Sequence, residues 1–259
     1  MLLFNLPLVQ IQTFFLIFLR VGAIMLAIPL FDSRSLPPLV KVGLALAVSV
    51  LLFPLVKSGP QVVLDDALFF GLRIAGEIAT GVIIGLAVKL VFTGIQMAGQ
   101  IAGFQMGFAI ANIMDPATSD QIPILSQFNN LIAVLIFFAI NAHYWFLRAL
   151  VESYTLIPIF EFSFNGMIVK QLVALTGSMF IIAIKIGAPV IAALLLTNVT
   201  FGLIARTVPQ MHVFIVAMPV KSVVGLLFLG FSLPYVAEQL KTIFSDLGAN
   251  ILLLLRAMS

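Results

Sequence analysis

Gln100-Ile-Ala-Gly-Phe-Gln-Met-Gly-Phe-Ala-Ile-Ala-Asn-Ile-Met-Asp-Pro-Ala-Thr-Ser-Asp-Gln121 begins as an apolar helix and ends as a polar loop. Gly99, Gly103 and Gly107 are spaced four apart, two overlapping GxxxG units with Ala98 and Ala102 beside them. Such a face lets a second helix approach closely. Gly81 and Gly85 upstream repeat the spacing and read as ordinary helix packing. Gln96, Gln100 and Gln105 carry amides that lipid would penalise. Met97, Met106 and Met114 are flexible side chains that conform to irregular neighbours, and Phe104 and Phe108 stand four apart. Asp115 ends the helix, because the residue before Pro116 avoids the α region. Asp120 adds a second acid, and no Lys or Arg occurs from Asp115 to Gln127. Two readings fit these residues. One is a plug in a water-filled passage, where non-helical backbone is tolerated at membrane depth. The other is a plain re-entrant or extramembrane loop.

The surrounding chain is membrane-grade. Of 259 residues, 62% are hydrophobic and 9% charged, and the mean hydropathy is +1.23. A soluble domain is roughly 45–50% apolar and about 25% charged. The chain therefore reads as an integral membrane protein with one membrane domain. Cysteine is absent, which excludes disulfides, thiol nucleophiles and cysteine metal sites. The net charge of +3 comes from scattered basic residues, which argues against nucleic-acid binding. The first apolar run is long, lacks a basic leader and contains Arg20, so it reads as a retained helix rather than a cleaved signal.

Apolar runs fall at 8–31, 39–56, 68–94, 95–113, 128–150, 172–203 and 213–236. Asp32 to Pro38 and Lys57 to Pro60 are turns, and Asp65-Asp66 suits a helix start. Phe162-Ser-Phe-Asn-Gly166 divides a front part, 1–165, from a back part, 166–259. The back part begins as a helical hairpin. Its tail, 237–259, carries Glu238, Lys241, Asp246 and Arg256 on an apolar background and reads as an amphipathic interfacial helix. Pro29, Pro54, Pro189, Pro219 and Pro234 lie in or at the ends of runs, where each favours a kink or break. Arg34 and Lys41 favour a cytoplasmic first loop; the other loops hold too few bases to orient the chain.

Six charges lie inside the runs: Arg20, Arg73, Glu77, Lys89, Lys185 and Lys221. Each costs about 2.5–3.5 kcal/mol at a bilayer centre on insertion scales. Arg73 and Glu77, four apart, can pair on one helical face. The other bases have no partner nearby in sequence. Three readings compete: pairing or hydration within the bundle, contact with partner subunits or water, and a proton or ion relay. Only Glu77 offers a relay a deep carboxylate. His143, in a polar and aromatic cluster, reads as an interfacial anchor, and His212 as a loop residue. No HExxH, GxSxG, P-loop or dinucleotide fingerprint occurs, so no catalytic residue, metal or cofactor is expected.

In order, Gln96-Met-Ala-Gly-Gln100, Gln105-Met-Gly-Phe108, Asp115-Pro116, Asn141-Ala-His143, Leu194-Leu-Leu-Thr-Asn198, Gly202-Leu-Ile-Ala-Arg206, Pro209-Gln-Met211 and Met218-Pro219 resemble the FliR family of flagellar type III export-gate proteins. Ala142-His143-Tyr144, His212 and Ala217 depart from the family's usual residues. The resemblance implies an all-α, polytopic membrane-associated helical protein with kinked and broken helices and helical hairpins. It implies a FliP-like front part and a FliQ-like back hairpin, with no enzymatic activity. It implies assembly with FliP- and FliQ-type subunits, and with FlhB- and FlhA-type export proteins, in the bacterial inner membrane at the flagellar basal body. Unfolded flagellar proteins would pass through the gate. The loop would plug the channel: Gln105, Met106, Gly107, Phe108 and Met114 sealing it, Asp115 and Pro116 turning it, Asp120 and Gln121 keeping it hydrated. Protein surroundings would relieve the charge of Arg20 and Lys185. The alternatives are a virulence type III secretion homologue, a stand-alone secondary transporter or channel, and, least supported, an intramembrane enzyme.

Overall fold

A computed structural model describes residues 8–27, 37–56, 67–108, 123–159, 162, 164–208, 210 and 213–258. Among these the chain is helical throughout, without strands. The helices are α1 (Leu8–Ala27), α2 (Pro38–Leu52), α3 (Ala67–Met106), α4 (Ile124–Ala139), α5 (Ala142–Leu156), α6 (Gly166–Thr207) and α7 (Val213–Met258). Four are long and apolar enough to cross a membrane, and α4 with α5 forms one broken pair, bent by 74°. The protein is thus a polytopic membrane protein of long and broken helices, as its composition requires.

The helix ends follow local chemistry. Pro38 occupies the first turn of α2, where its missing N–H costs nothing. Asn165 Oδ1 accepts the backbone N–H of Met167 at 3.1 Å and of Ile168 at 3.2 Å, capping α6. Between α4 and α5, Asn141 adopts a left-handed conformation with φ of 56°. Asparagine tolerates that region better than most residues. Within the helices, hydroxyls bond back to the preceding turn: Ser49 Oγ to Ala45 O at 2.7 Å, Thr80 Oγ1 to Gly76 O at 2.9 Å. The bond satisfies a polar group where lipid or core offers none.

Two boundaries differ from the sequence reading. The run 68–94 continues into the run 95–113 as one helix, α3, which ends at Met106, because no residue between them breaks the backbone ladder; residues 109–113 lie outside the described residues. The run 128–150 is two helices, because Asn141 turns the chain inside it. Pro189, Pro219 and Pro234 lie inside helices that continue past them. The tail, 237–258, is continuous with the rest of α7 and makes up nearly half of it. Its amphipathic pattern is real: Leu240, Phe244, Leu247, Ile251, Leu254, Leu255 and Met258 are buried, while Glu238, Lys241, Asp246 and Arg256 are exposed. The stripe is buried by this chain itself.

The chain forms two compact units. One comprises residues up to Leu90, 141–175 and 245 onward; the other comprises 91–140 and 176–244. In the first, α1, α2, the start of α3 and α5 pack together. Phe14 meets Phe53 edge-on at 6.0 Å, and Gly248 of α7 faces Trp145 of α5. In the second, Phe92, Phe137 and Phe244 form a triangle of rings with centroids 5.3–6.0 Å apart. The hairpin of α6 and α7 closes there too, Tyr235 Oη donating to Lys185 O at 3.3 Å.

Candidate functional site

Two constellations stand out, one in each unit. The first is built on a seam of small residues. Gly81 and Gly85 lie one and two turns after Glu77 on the same face of α3. A Cβ on Gly81 would stand 2.7 Å from both Ala23 Cβ and Arg20 O, and one on Gly85 would collide with Ala27 Cβ. Only glycine lets the α1 backbone come this close. That approach carries Arg20 onto Glu77, Nε to Oε2 at 2.5 Å, with the two residues 0% and 2% exposed.

Arg20 also closes the end of α5. Its Nη1 donates to Ser153 O at 3.1 Å and Ile157 O at 3.0 Å, with Ser153 Oγ at 3.5 Å. These carbonyls are at the C-terminal end of a helix, where a cation is favoured. The guanidinium also stacks on Tyr154, 4.3 Å from the ring centroid. Tyr154 Oη in turn donates to Ile17 O at 3.3 Å. One ion pair thus joins three helices. Arg20 finds its counter-charge 57 residues away, so the sequence reading that gave Glu77 to Arg73 missed this partner. Arg20 is enclosed by its own chain and needs no neighbouring subunit to offset its charge. Arg73 is half-buried on the turn before Glu77.

The second constellation is the end of α3. Gly99, Gly103 and Gly107 turn out to serve three different purposes. A Cβ on Gly99 would stand 2.5 Å from Leu125 O and 2.8 Å from Ser126 Cα, so this glycine admits the α4 backbone. Ser126 Oγ donates to Gln96 O at 2.8 Å, and Gln96 Nε2 to Asn130 Oδ1 at 3.0 Å, so the amide of Gln96 bridges α3 and α4. At Gly103 a Cβ would make only ordinary contact with Leu125. Gly107 has φ of +89°, a conformation that side chains oppose, and it ends the helix.

Met106, just before that turn, is fully buried among Ala102, Leu125, Val190 and Leu194. Its side chain fills a notch over Gly225 of α7, where a Cβ would strike Met106 Cε and lie 2.6 Å from Cγ. Ser222 Oγ donates to Met106 O at 3.1 Å, and Met218 packs by Gly107. The terminus of α3 is therefore latched to α7 by shape and by a hydrogen bond. Gln105 is half-buried with its Oε1 unsatisfied among the described residues, and Phe108 is exposed. Met114, Asp115, Pro116, Asp120 and Gln121 lie outside the described residues. Lys89 and Lys185 are exposed on their helices, and Lys221 is half-buried. Gly225, Ser222, Ser153 and Tyr154 were not singled out by the sequence, and only Gly225, a small residue inside a helix, carried any hint.

The matches to known proteins agree with this architecture. The family described as bacterial export proteins, family 1, matches residues 11–247. The chain is 33% identical to the flagellar biosynthetic protein FliR of Bacillus subtilis (strain 168) over 239 residues, 90% of each chain. It is 32% identical to FliR of Pectobacterium carotovorum subsp. carotovorum, covering 93% of each chain. Against FliR of Escherichia coli (strain K12) it is 29% identical over 88% of this chain and 87% of the relative. A match that runs through both constellations and nearly end to end leaves one conclusion: the chain belongs to the bacterial export proteins, family 1, the family of the FliR flagellar biosynthetic proteins.

Proposed function

We propose that this chain is a non-catalytic subunit of the flagellar type III export gate. It assembles with FliP- and FliQ-type subunits, beside FlhB- and FlhA-type proteins, in the bacterial inner membrane at the flagellar basal body. Unfolded flagellar proteins are the cargo. Residues 1–165 are the FliP-like front part and 166–259 the FliQ-like back part.

The observation that carries the multi-subunit assembly is a mismatch of lengths. The helices α3, α6 and α7 have 40, 42 and 46 residues, about 60–69 Å at ~1.5 Å per residue. A hydrocarbon core is only ~30 Å thick, and a tilt of about 40° still leaves at least ~45 Å along the normal. Yet large apolar side chains are exposed along almost the whole of α6, from Val169 through Ile184 to Leu203, and along the first half of α7, from Ile215 to Tyr235. A stripe about 50 Å long cannot be covered by acyl chains alone. Other polypeptides are the natural cover, and contiguous exposed apolar surface on this scale marks an interface. Exposed Lys89 and Lys185 on such helices fit the same surroundings. A stand-alone transporter would leave the stripe bare.

The latch at Met106 and Gly225 supports the plug. It anchors the root of the acidic, base-free segment that follows Phe108 to α7. Deleting residues 110–120 is expected to leave the chain in the membrane and to make cells permeable to small solutes. Normal assembly with unchanged permeability would defeat the plug.

A further inference from the structure

We propose that the groove between α1, α2 and the first part of α3 binds one anionic phospholipid, with an acyl chain along the groove and the phosphate on Lys41. The groove has a volume of about 550 Å³, within the ~300–1,000 Å³ usual for ligand pockets. Its walls are apolar, among them Phe18, Leu26, Val42, Ile78 and Val82, and among the described residues Lys41 is the only charged one lining it. An apolar groove of this kind takes apolar ligands. Gly22 forms part of the floor, and a Cβ there would meet nothing within 4 Å. The space is open rather than filled by a neighbouring side chain.

The charge at the mouth selects the occupant. Lys41 lies in the first turn of α2, three residues after Pro38 and so about 5 Å along the axis. Among the described residues no side chain caps that turn. A helix N-terminus carries partial positive charge, which repels a lysine and attracts an anion. An anion at this point satisfies both. By the positive-inside rule Arg34 and Lys41 favour a cytoplasmic side for the segment before α2, and the cytoplasmic leaflet holds the anionic lipids. An apolar trough ending in a positive charge is complementary to a phospholipid. A partner helix would fill the trough but leave the charge to be met separately.

The test uses the full chain co-purified with its gate partners in mild detergent, supplied with dioleoyl phosphatidylglycerol or dioleoyl phosphatidylcholine and read by native mass spectrometry. One phosphatidylglycerol is expected per chain. Lys41→Gln is expected to lower its retention about fivefold, the contribution of one basic residue at an anionic surface, and Lys41→Arg to restore it. Gly22→Leu, which fills open space without displacing a neighbour, is expected to abolish retention of both lipids. Lys170→Gln, an exposed lysine of α6, is expected to change neither. Phosphatidylglycerol retained undiminished by Gly22→Leu would overturn the site. Loss of partner subunits from the Gly22→Leu and Lys41→Gln proteins, with lipid retention intact, would overturn it in favour of a protein occupant.

Discussion

Glu77→Ala is expected to remove most of the protein from the membrane. The substitution leaves Arg20 charged and fully buried, with Nη1 on Ser153 and Ile157, Nη2 unsatisfied among the described residues, and its face on Tyr154. Removing one partner of a buried ion pair costs about 3–5 kcal/mol, a large part of the ~5–15 kcal/mol that holds a typical domain together. The chain level in purified membranes, with the midpoint of thermal unfolding in detergent, reads the loss. The double variant Arg20→Met with Glu77→Leu removes both charges and keeps apolar volume. Such replacements are often neutral or stabilising, so normal levels and normal flagellar export are expected. Normal levels with export abolished would mean that Glu77 carries protons, and the structural reading of the pair would be wrong.

Gly225→Val is expected to open the gate without lowering the amount of protein. The added Cβ alone strikes Met106 Cε and crowds its Cγ. Met106 has to leave its notch, and the hydrogen bond from Ser222 Oγ to Met106 O goes with it. Overpacking of this kind costs about 1–3 kcal/mol. Applied to the closed state alone, that shifts the closed-to-open ratio by about 5- to 150-fold. Uptake of a membrane-impermeant chromogenic substrate by intact cells measures it. Met106→Ala in the Gly225→Val background removes the clash, and uptake is expected to fall back toward the parent level. If Gly225→Val cells stay as tight as the parent at equal protein level, the latch plays no part in closure.

Both variants act on contacts that the sequence concealed. Composition disclosed a helical membrane protein at once, because helices of this apolarity have few other places to be. The close approach at Gly99 was also readable, since small residues at helical spacing have a known use. Neighbouring glycines were not so uniform: Gly103 touches Leu125 only loosely, and Gly107 is needed for its backbone angle. The break at Asn141 was missed, because a single left-handed residue between two apolar stretches leaves the hydrophobic pattern intact. Arg20 and Glu77 find each other only through the Gly81–Gly85 seam, which draws together helices far apart in the chain. In sequence, Arg73 was the nearer partner for Glu77. The notch at Gly225 was equally hidden, since its occupant comes from a helix more than a hundred residues earlier. Buried polar geometry and side-chain notches are properties of the packed bundle, and periodicity along one strand of text does not encode them.

The exposed stripe of α6 and α7 makes the most direct demand on the account. An affinity-tagged full-length chain, co-produced with FliP- and FliQ-type subunits and imaged as single particles, provides the measurement. The expected particle is a multi-chain assembly in which neighbours cover the surface from Val169 to Leu203 and residues 109–122 stand in its central passage. A chain recovered alone, or as a symmetric homo-oligomer with that surface in detergent, would contradict it.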